Sequence, residues 1–440
     1  MIFEYIHSGL GMSRIMANNF YTSPSNVEAT QRLLSDVNKN GEYLVGGLFN
    51  AYVEQGFGPK IHDNFRGHFS AVHVDSGGLQ VITRGLPITP ELKRQIYKTQ
   101  GTYGDIAMCF DEIPLHVMEG SNTKSNRTSI DNKIYVVEEM EAKARATGRN
   151  INEQLRCFKE MNSSAKVMMI VQGNNRFDFA QWAEFAYDEV DDDLKEGVHG
   201  IALADTCIGN GILETVEMCA SVPLMNIPDR IKKNIHFLGI GSLSRLVPII
   251  ELSRGTLFTD AHISFDSTTH TSALMMGRFT NERGRVEKLG KTANRSNIKY
   301  FKRVYDLICQ YYPLKISFDD YLSHVVENIT TTTHLGEYDK DVEKTIAANL
   351  TYIFSIMVCT ENFMGNVVKC QKDPEHYWTV MSKKNLKAIK PLMQLANVNT
   401  PADFEHWFKT YAKYVESNRI MRVDSMQQTQ YNVTLDLMCA

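Results

Sequence analysis

The sequence predicts an α/β fold, a (β/α)₈ barrel of the TIM type followed by a mostly helical C-terminal appendage. Between residues 42 and 266, short apolar runs of strand length alternate with amphipathic segments of helix length. Continuous apolar runs are typical of strands buried on both faces, and repeated strand–helix units build a barrel or a doubly wound sheet. After residue 277 strand-like runs become scarce and long amphipathic stretches dominate. We therefore expect a barrel over residues 1–285 and a helical region over 286–440.

Seven apolar runs are the candidate barrel strands. They span residues 43–49, 69–74, 106–110, 167–171, 201–203, 235–238 and 262–265. A helix is expected from Thr89, because its hydroxyl can accept a backbone N–H and Pro90 fits the first helical turn. Another is expected over 129–146, with Gly148 as its stop. Further helices are predicted over 181–190, 242–253, 297–312, 342–362 and 403–414.

Composition and charge argue against a strongly basic protein, a disulfide-rich protein and a membrane-spanning protein. The formal net charge is -4, so a nucleic-acid partner requires a local basic patch. The eight cysteines form no CxxC pair, which indicates reduced thiols rather than a disulfide framework. No apolar stretch approaches the ~20 residues that span a bilayer. We expect a cytoplasmic protein without a membrane partner.

Polar side chains follow four of the predicted strands at the point where each strand ends. They are Asp75, Asp111, Gln172 and Asp266. Any one of them can be explained as a cap for the next helix or loop. Because the carboxyl ends of all barrel strands meet at one face, the four together predict a shared pocket. Paired carboxylates favour acid/base or covalent glycosyl chemistry, and sugar hydrolysis or aldol chemistry stays open.

Six segments in order resemble the motifs of the tRNA-guanine transglycosylases and their DNA-modifying DpdA relatives, over about residues 40–280. They are DSGGLQ at 75–80, ITPE with DIAMCFDE at 88–91 and 105–112, IVQG at 170–173, GIAL at 200–203, FLGIG at 237–241 and FD at 265–266. The resemblance implies a barrel enzyme that exchanges one base for another through a covalent aspartyl-sugar intermediate.

The resemblance also implies a role for individual residues. Asp266 matches the nucleophile and Asp75 the general acid/base. Asp260 also follows a strand-like run and is the alternative nucleophile. The positions that match base contacts are Asp111, Gln172, Ser76, Gly173 and Gly239, with Leu79 and Leu238 on either side of the ring.

Departures from the tRNA enzymes point to a different nucleic acid. Their zinc-binding cysteines and histidine are missing, since only Cys309 stands in that region, so we expect no metal and no cofactor. Thr269-His270-Thr271 replaces the segment that grips the anticodon loop, and Ala204-Asp205 replaces a glycine pair. The resemblance then implies a phage-type enzyme in the host cytoplasm. It would flip a guanine from duplex DNA and insert a 7-deazaguanine such as preQ0.

A basic stretch follows the proposed nucleophile. Nine Lys and Arg residues lie between 278 and 303 against two glutamates. A solvated helix face explains such a run, but its position favours phosphate contacts. The predicted nucleic-acid-binding residues are Arg278, Arg283, Arg285, Lys288 and Lys291.

Other interpretations stay open at this point. The chain could act on tRNA, form a non-catalytic subunit, or be an unrelated barrel glycosidase, and a homodimer is not excluded. His73 and His236 are expected to be buried within strands and hydrogen-bonded, without a catalytic role.

Overall fold

The computed structural model describes residues 3–8, 23–52, 58–78, 87–117, 133–290, 294–327 and 342–424. Eight parallel strands close into a barrel surrounded by helices, and the C-terminal region is mostly helical. This confirms the predicted (β/α)₈ fold. Among the described residues, the seven cysteines are free thiols. No helix within them has the length and apolar character needed to cross a membrane.

The barrel strands come from across the first 267 residues. In chain order they are β1 (Phe3–His7), β2 (Leu44–Asn50), β3 (Val72–Asp75), β4 (Ile106–Met108), β7 (Lys166–Val171), β8 (Val198–Leu203), β9 (Asn234–Phe237) and β10 (His262–Ser267). Their order around the barrel is β1, β10, β9, β8, β7, β4, β3 and β2. The remaining strands are β5 (Leu115–Val117), β6 (Lys133–Val136), β11 (Arg278–Thr280), β12 (Val286–Lys288) and β13 (Met421–Val423).

Helices cover the barrel and build the C-terminal region. They are α1 (Pro24–Asn40), α2 (Gly58–Phe65), α3 (Pro90–Tyr103), α4 (Met140–Glu160), α5 (Arg176–Asp188), α6 (Ile212–Ser221), α7 (Asp229–Lys232), α8 (Leu243–Arg254), α9 (Thr268–Thr271), α10 (Arg295–Tyr311), α11 (Phe318–Asp320), α12 (Val342–Lys372), α13 (Tyr377–Val380), α14 (Leu386–Met393) and α15 (Pro401–Tyr411). The predicted cap of α3 is present, since the Thr89 hydroxyl accepts the N–H of Leu92.

The first barrel strand, β1, was not among the predicted strands. It lies between β10 and β2 and pairs with both in parallel, so it closes the barrel. All five of its residues are buried. Its sequence, Phe-Glu-Tyr-Ile-His, carries two polar residues and does not read as a continuous apolar run.

The prediction of a helix over 129–146 was wrong in its first part and in its end. Residues 133–136 form β6, which lies between β5 and β13 in a small sheet, and residues 129–132 lie outside the described part of the chain. Helix α4 begins at Met140 and continues through Gly148 to Glu160. A Cβ at Gly148 would lie 2.2 Å from the carbonyl oxygen of Ala186. This glycine therefore permits close packing of α4 on α5.

The long helix α12 packs on the outer face of the barrel at β1 and β10. The ring of Phe363 contacts the rings of Tyr5 and Phe265, with centroids 5.8 Å and 6.4 Å apart. The Thr360 hydroxyl lies 2.9 Å from Nε2 of His7. Part of the C-terminal region thus occupies the helical layer over the seam where the barrel closes.

A layer of polar side chains fills the barrel interior. Nε2 of His73 lies 3.8 Å from Oε1 of Glu4, and the rings of His73 and His236 stack with centroids 6.0 Å apart. Nδ1 of His236 lies 2.9 Å from Oγ of Ser264. Because alternate residues of a strand face the same side, the residues two positions further along β3 and β10 also point inward, nearer the carboxyl end.

Candidate active site

The predicted strand-end side chains meet at the carboxyl mouth of the barrel. Asp75 and Asp266 are the residues two positions beyond His73 and Ser264, and Asp111 and Gln172 follow β4 and β7. Asp75 is close enough to Asp111 and Asp266 for their negative charges to raise its pKa. Residues almost two hundred positions apart in sequence therefore lie close together at one end of the barrel.

Asp75 is held by its neighbour on β2. Asn50 pairs with it in the strand register, and Nδ2 of Asn50 donates to Oδ2 of Asp75 over 2.9 Å. Burial, followed by the charges of Asp111 and Asp266, raises the pKa of Asp75 to about 7. This carboxyl group can therefore both give and take a proton near neutral pH.

Asp111 and Gln172 form a hydrogen-bonded pair across β4 and β7. Nε2 of Gln172 donates to Oδ2 of Asp111 over 2.7 Å, and both side chains are buried. Burial is the main cause that raises the pKa of Asp111 to about 6. The Oε1 atom of Gln172 is buried and has no hydrogen-bond partner among the described residues. The pair thus offers an amide oxygen and a carboxyl group to a ligand.

The loop after β3 packs closely against this pair. Oγ of Ser76 accepts the N–H of Gly78 over 3.2 Å. A Cβ at Gly78 would lie 3.2 Å from Oδ1 of Asp111. Gly77 adopts a φ of 78°, which explains the preference for glycine there.

Asp266 is held by one backbone and one side-chain group. The N–H of Gly239 donates to its Oδ1 over 2.9 Å, and Nε2 of His236 lies 3.3 Å from the same atom. Gly239 reaches this position with a φ of 73°, which favours glycine. Burial alone would raise the pKa of Asp266, but His236 and the Gly239 N–H hold it below its usual value.

The pKa values of the two catalytic candidates, Asp75 and Asp266, are therefore shifted in opposite directions. Asp266 stays ionised, as a nucleophile must, while Asp75 keeps a proton to near neutral pH. Two carboxyl groups with separated pKa values are typical of a nucleophile and a general acid.

The alternative nucleophile, Asp260, lies elsewhere. It is exposed and precedes β10, whereas Asp266 lies near the carboxyl end of that strand. Asp260 is therefore at the amino-terminal end of the barrel, opposite the mouth, and it does not join the acidic cluster.

The remaining residues that were predicted to contact the base lie in different parts of the structure. Leu238 is half-buried at the end of β9, where its N–H donates to the carbonyl of Leu203. Leu79 lies outside the described residues. Gly173 packs against α5, because a Cβ there would lie 2.7 Å from the backbone nitrogen of Phe179.

Sequence reasoning missed four residues of this site. His236 is buried and hydrogen-bonded as expected, but its contact with Asp266 was not predicted. Asn50 follows a predicted strand in the same way as Asp75 and was not among the predicted site residues. Asp205 lies two residues beyond β8 and forms an ion pair with Arg245 of α8, with Nη1 and Oδ2 3.0 Å apart. The strand-end position was the available signal for Asn50 and Asp205.

The basic stretch divides into two parts. In α10, Lys299, Lys302 and Arg303 form ion pairs with Glu282, Asp306 and Glu361. Arg278, Arg283, Arg285 and Lys288 lie on the β11–β12 hairpin, and Lys291 lies outside the described residues.

Two other histidines near β10 do not reach the mouth. His262 begins the strand and lies 3.0 Å from Oε2 of Glu4, and His270 is buried with Nδ1 2.8 Å from Thr280 Oγ1. Within the described ranges, no group of three or more His, Cys, Asp or Glu side chains is arranged to hold a metal ion.

Replacing His236 with leucine is expected to raise the pKa of Asp266, because the carboxylate loses a polar partner 3.3 Å away. The matched His236→Gln variant keeps an N–H donor and should retain most of the lowered pKa. Carbon NMR of aspartate-labelled protein, with Asp266→Asn to assign the signal, measures the change. Equal pKa values in the Leu and Gln variants would show that His236 does not act on Asp266.

Comparison with known protein families and with curated proteins finds no match to this chain, so its function must be inferred from the side chains at the barrel mouth.

Proposed function

We propose that the protein is a glycosyltransferase that exchanges guanine in DNA for a 7-deazaguanine base through a covalent aspartyl-sugar intermediate. The observation that carries this proposal is the meeting of Asp75 and Asp266 at one mouth, with pKa values shifted in opposite directions. The resemblance of six ordered sequence motifs to transglycosylases supports the same reaction class.

In the first half of the reaction, a carboxylate oxygen of Asp266 bonds to C1′ of the nucleotide and the bond from C1′ to N9 of guanine breaks. Protonated Asp75 gives its proton to the leaving base. In the second half, Asp75 takes the N9 proton of the incoming 7-deazaguanine, and that nitrogen displaces Asp266 from C1′. One glycosidic bond replaces another, so the exchange needs no energy source.

The Asp111–Gln172 pair supports a base rather than a sugar as the bound group. Oε1 of Gln172 can accept an N–H, and a carboxyl group beside it can pair with the amide-like edge of a guanine. Such complementary polar groups discriminate strongly, because a ligand that fails to match them leaves buried groups unpaired. A barrel glycosidase binds sugars and does not require a pair of side chains that matches the edge of a base.

The β11–β12 hairpin supports a nucleic acid as the substrate. It follows β10 after the short helix α9 and exposes Arg278, Arg283 and Lys288. Basic groups beside an acidic pocket can hold the phosphates of a strand while one base is flipped out, which costs a few kcal/mol.

Incorporation of radiolabelled guanine tests the reaction without knowledge of the natural incoming base. Purified protein should transfer label into duplex DNA but not into tRNA, and nucleoside mass spectrometry should find the deazaguanine nucleoside when preQ0 is supplied. The Asp266→Asn protein is the matched control. Label in tRNA alone would make the protein a tRNA enzyme, and no label in either would refute base exchange.

A further inference from the structure

A large cavity lies beside the proposed active site, between the start of α8 and the β11–β12 hairpin. Its volume is about 620 Å³. Gly239, whose N–H binds Asp266, lines it, and so does Thr269, three residues beyond Asp266. A group bound in this cavity, hereafter the α8 cavity, would therefore be a close neighbour of a sugar bonded to Asp266.

The first turn of α8 supplies hydrogen-bond donors to the α8 cavity. Ser242 is the N-cap residue but its side chain makes no capping hydrogen bond. Within the described part of the chain, no acceptor takes the N–H of Leu243 or Ser244. The hydroxyl groups of Ser242 and Ser244 lie 3.3 Å apart, and both residues line the cavity. Free N–H groups and the helix dipole together favour an anion at such a position.

Arg245 provides a second, independent indication of a ligand. The residue is only 8% exposed and lines the α8 cavity. Its Nη1 donates to Asp205 Oδ2 and to the carbonyl of Gly239, which fixes the guanidinium. Its Nε and Nη2 are buried and have no hydrogen-bond partner among the described residues. A buried cation with two unused donors is costly unless a ligand completes its hydrogen bonds.

The charges around the α8 cavity have the sign that suits an anion. Lys133, Arg283 and Arg285 line it together with Arg245, whereas Asp205 is the acidic residue in the lining. Nε and Nη2 of Arg285 donate to the carbonyl groups of Val380 and Met381, which leave its charge in place. No carboxylate of the described residues lies within ion-pair distance of Lys133, Arg283 or Arg285.

We propose that the α8 cavity binds a phosphodiester of the nucleic-acid strand, next to the nucleotide whose base binds the Asp111–Gln172 pair. This inference rests on the proposed function. Guanidinium groups and backbone N–H groups are the donors that phosphate oxygens prefer. With a phosphate held beside Gly239, the attached sugar is placed against Asp266, so the cavity sets the position of C1′ relative to the nucleophile.

The test adds a carboxylate to the cavity without removing a structural group. Glutamate is favourable in the first turn of a helix, so Ser244→Glu should fold normally while it competes with a bound phosphate. Ser244→Gln has the same size without the charge. Binding of a fluorescein-labelled duplex of mixed sequence is measured over a range of KCl concentrations. We expect Ser244→Glu to weaken binding about ten-fold and to reduce the salt slope by about one, with Ser244→Gln near wild type.

A second pair of variants removes charge. Arg283→Gln should weaken binding and reduce the slope. Lys159→Gln removes an equal charge from the exposed last turn of α4, at the amino-terminal end of the barrel just before β7, and should change neither. Equal binding by Ser244→Glu and Ser244→Gln would overturn the proposal. The proposal would also be overturned if inorganic phosphate stabilised the wild-type protein while Ser244→Glu had no effect on DNA binding. The cavity would then bind a small phosphate rather than a nucleic-acid strand.

These measurements are independent of catalysis. The Asp266→Asn protein should bind DNA like wild type, so binding is read in both backgrounds. The phosphate site can therefore fail while base exchange holds, and base exchange can fail while the site holds.

Discussion

Under the proposed function, Asp266→Asn protein should lose base exchange by a factor of at least about 10³, because the covalent step would have no nucleophile. The substitution keeps the shape of the side chain, and Oδ1 can still accept the N–H of Gly239. The fold and the mouth of the barrel should therefore survive. The covalent intermediate should vanish as well, and denaturing gel electrophoresis of protein mixed with labelled DNA measures it directly.

Asp260→Asn is the matched control for this experiment. It makes the same chemical change at an exposed residue six positions earlier, at the opposite end of the barrel. Full activity is expected from it. A covalent adduct that is lost in the Asp260→Asn protein would identify Asp260 as the nucleophile. Full activity of the Asp266→Asn protein would show that Asp266 is not the nucleophile.

Asp75→Asn protein should be both less active and more stable. Asparagine cannot protonate the leaving guanine, so formation of the covalent intermediate should fall by about 10²–10⁴-fold. In wild-type protein this half-reaction should slow as pH rises through about 7, where Asp75 loses its proton. The Asn variant should lose that pH dependence. Rapid-quench measurement of the intermediate over pH 5–9 tests both statements.

The gain in stability follows from the sign of the pKa shift. Burial raises the pKa of Asp75 from 3.8 to about 7, so the folded state binds this proton more tightly than the unfolded state. Wild-type stability is therefore lost as pH rises from about 4 to about 7, and the full cost is present above that range. Removing the charge should raise the free energy of unfolding at pH 8 by on the order of 4 kcal/mol. Urea unfolding measures it, and no gain over the Asp260→Asn control would contradict the raised pKa.

Seven of the eight barrel strands could be predicted because each contains a short run of mostly apolar residues. The eighth, β1, contains Glu4 and His7, whose polar atoms are matched by His262 and Thr360 from distant segments. Sequence alone does not show such partners, so a buried polar strand looks like a surface segment. The prediction that a helix stops at Gly148 failed for a related reason. That glycine is required by the close packing of α4 on α5, not by the end of its own helix.

The acidic site was predictable from strand direction, because every parallel strand delivers its last residues to one face. Asp75, Asp111, Gln172 and Asp266 needed only that rule. His236 and Arg245 were not predictable, because their roles depend on a partner on another strand or loop. A histidine within an apolar strand is usually structural, and only its 3.3 Å approach to Asp266 distinguishes this one.

The seam of the barrel has a consequence for how the chain is made. Strand β1 is synthesised some 260 residues before its neighbour β10, and the covering helix α12 follows later still. Until then the nascent chain carries an unsatisfied strand edge with Phe3 and Tyr5 uncovered. Contacts this distant in sequence slow the search for the native state and favour association between incomplete chains. Production of this protein should therefore benefit from slow synthesis and from chaperones that shield such an edge.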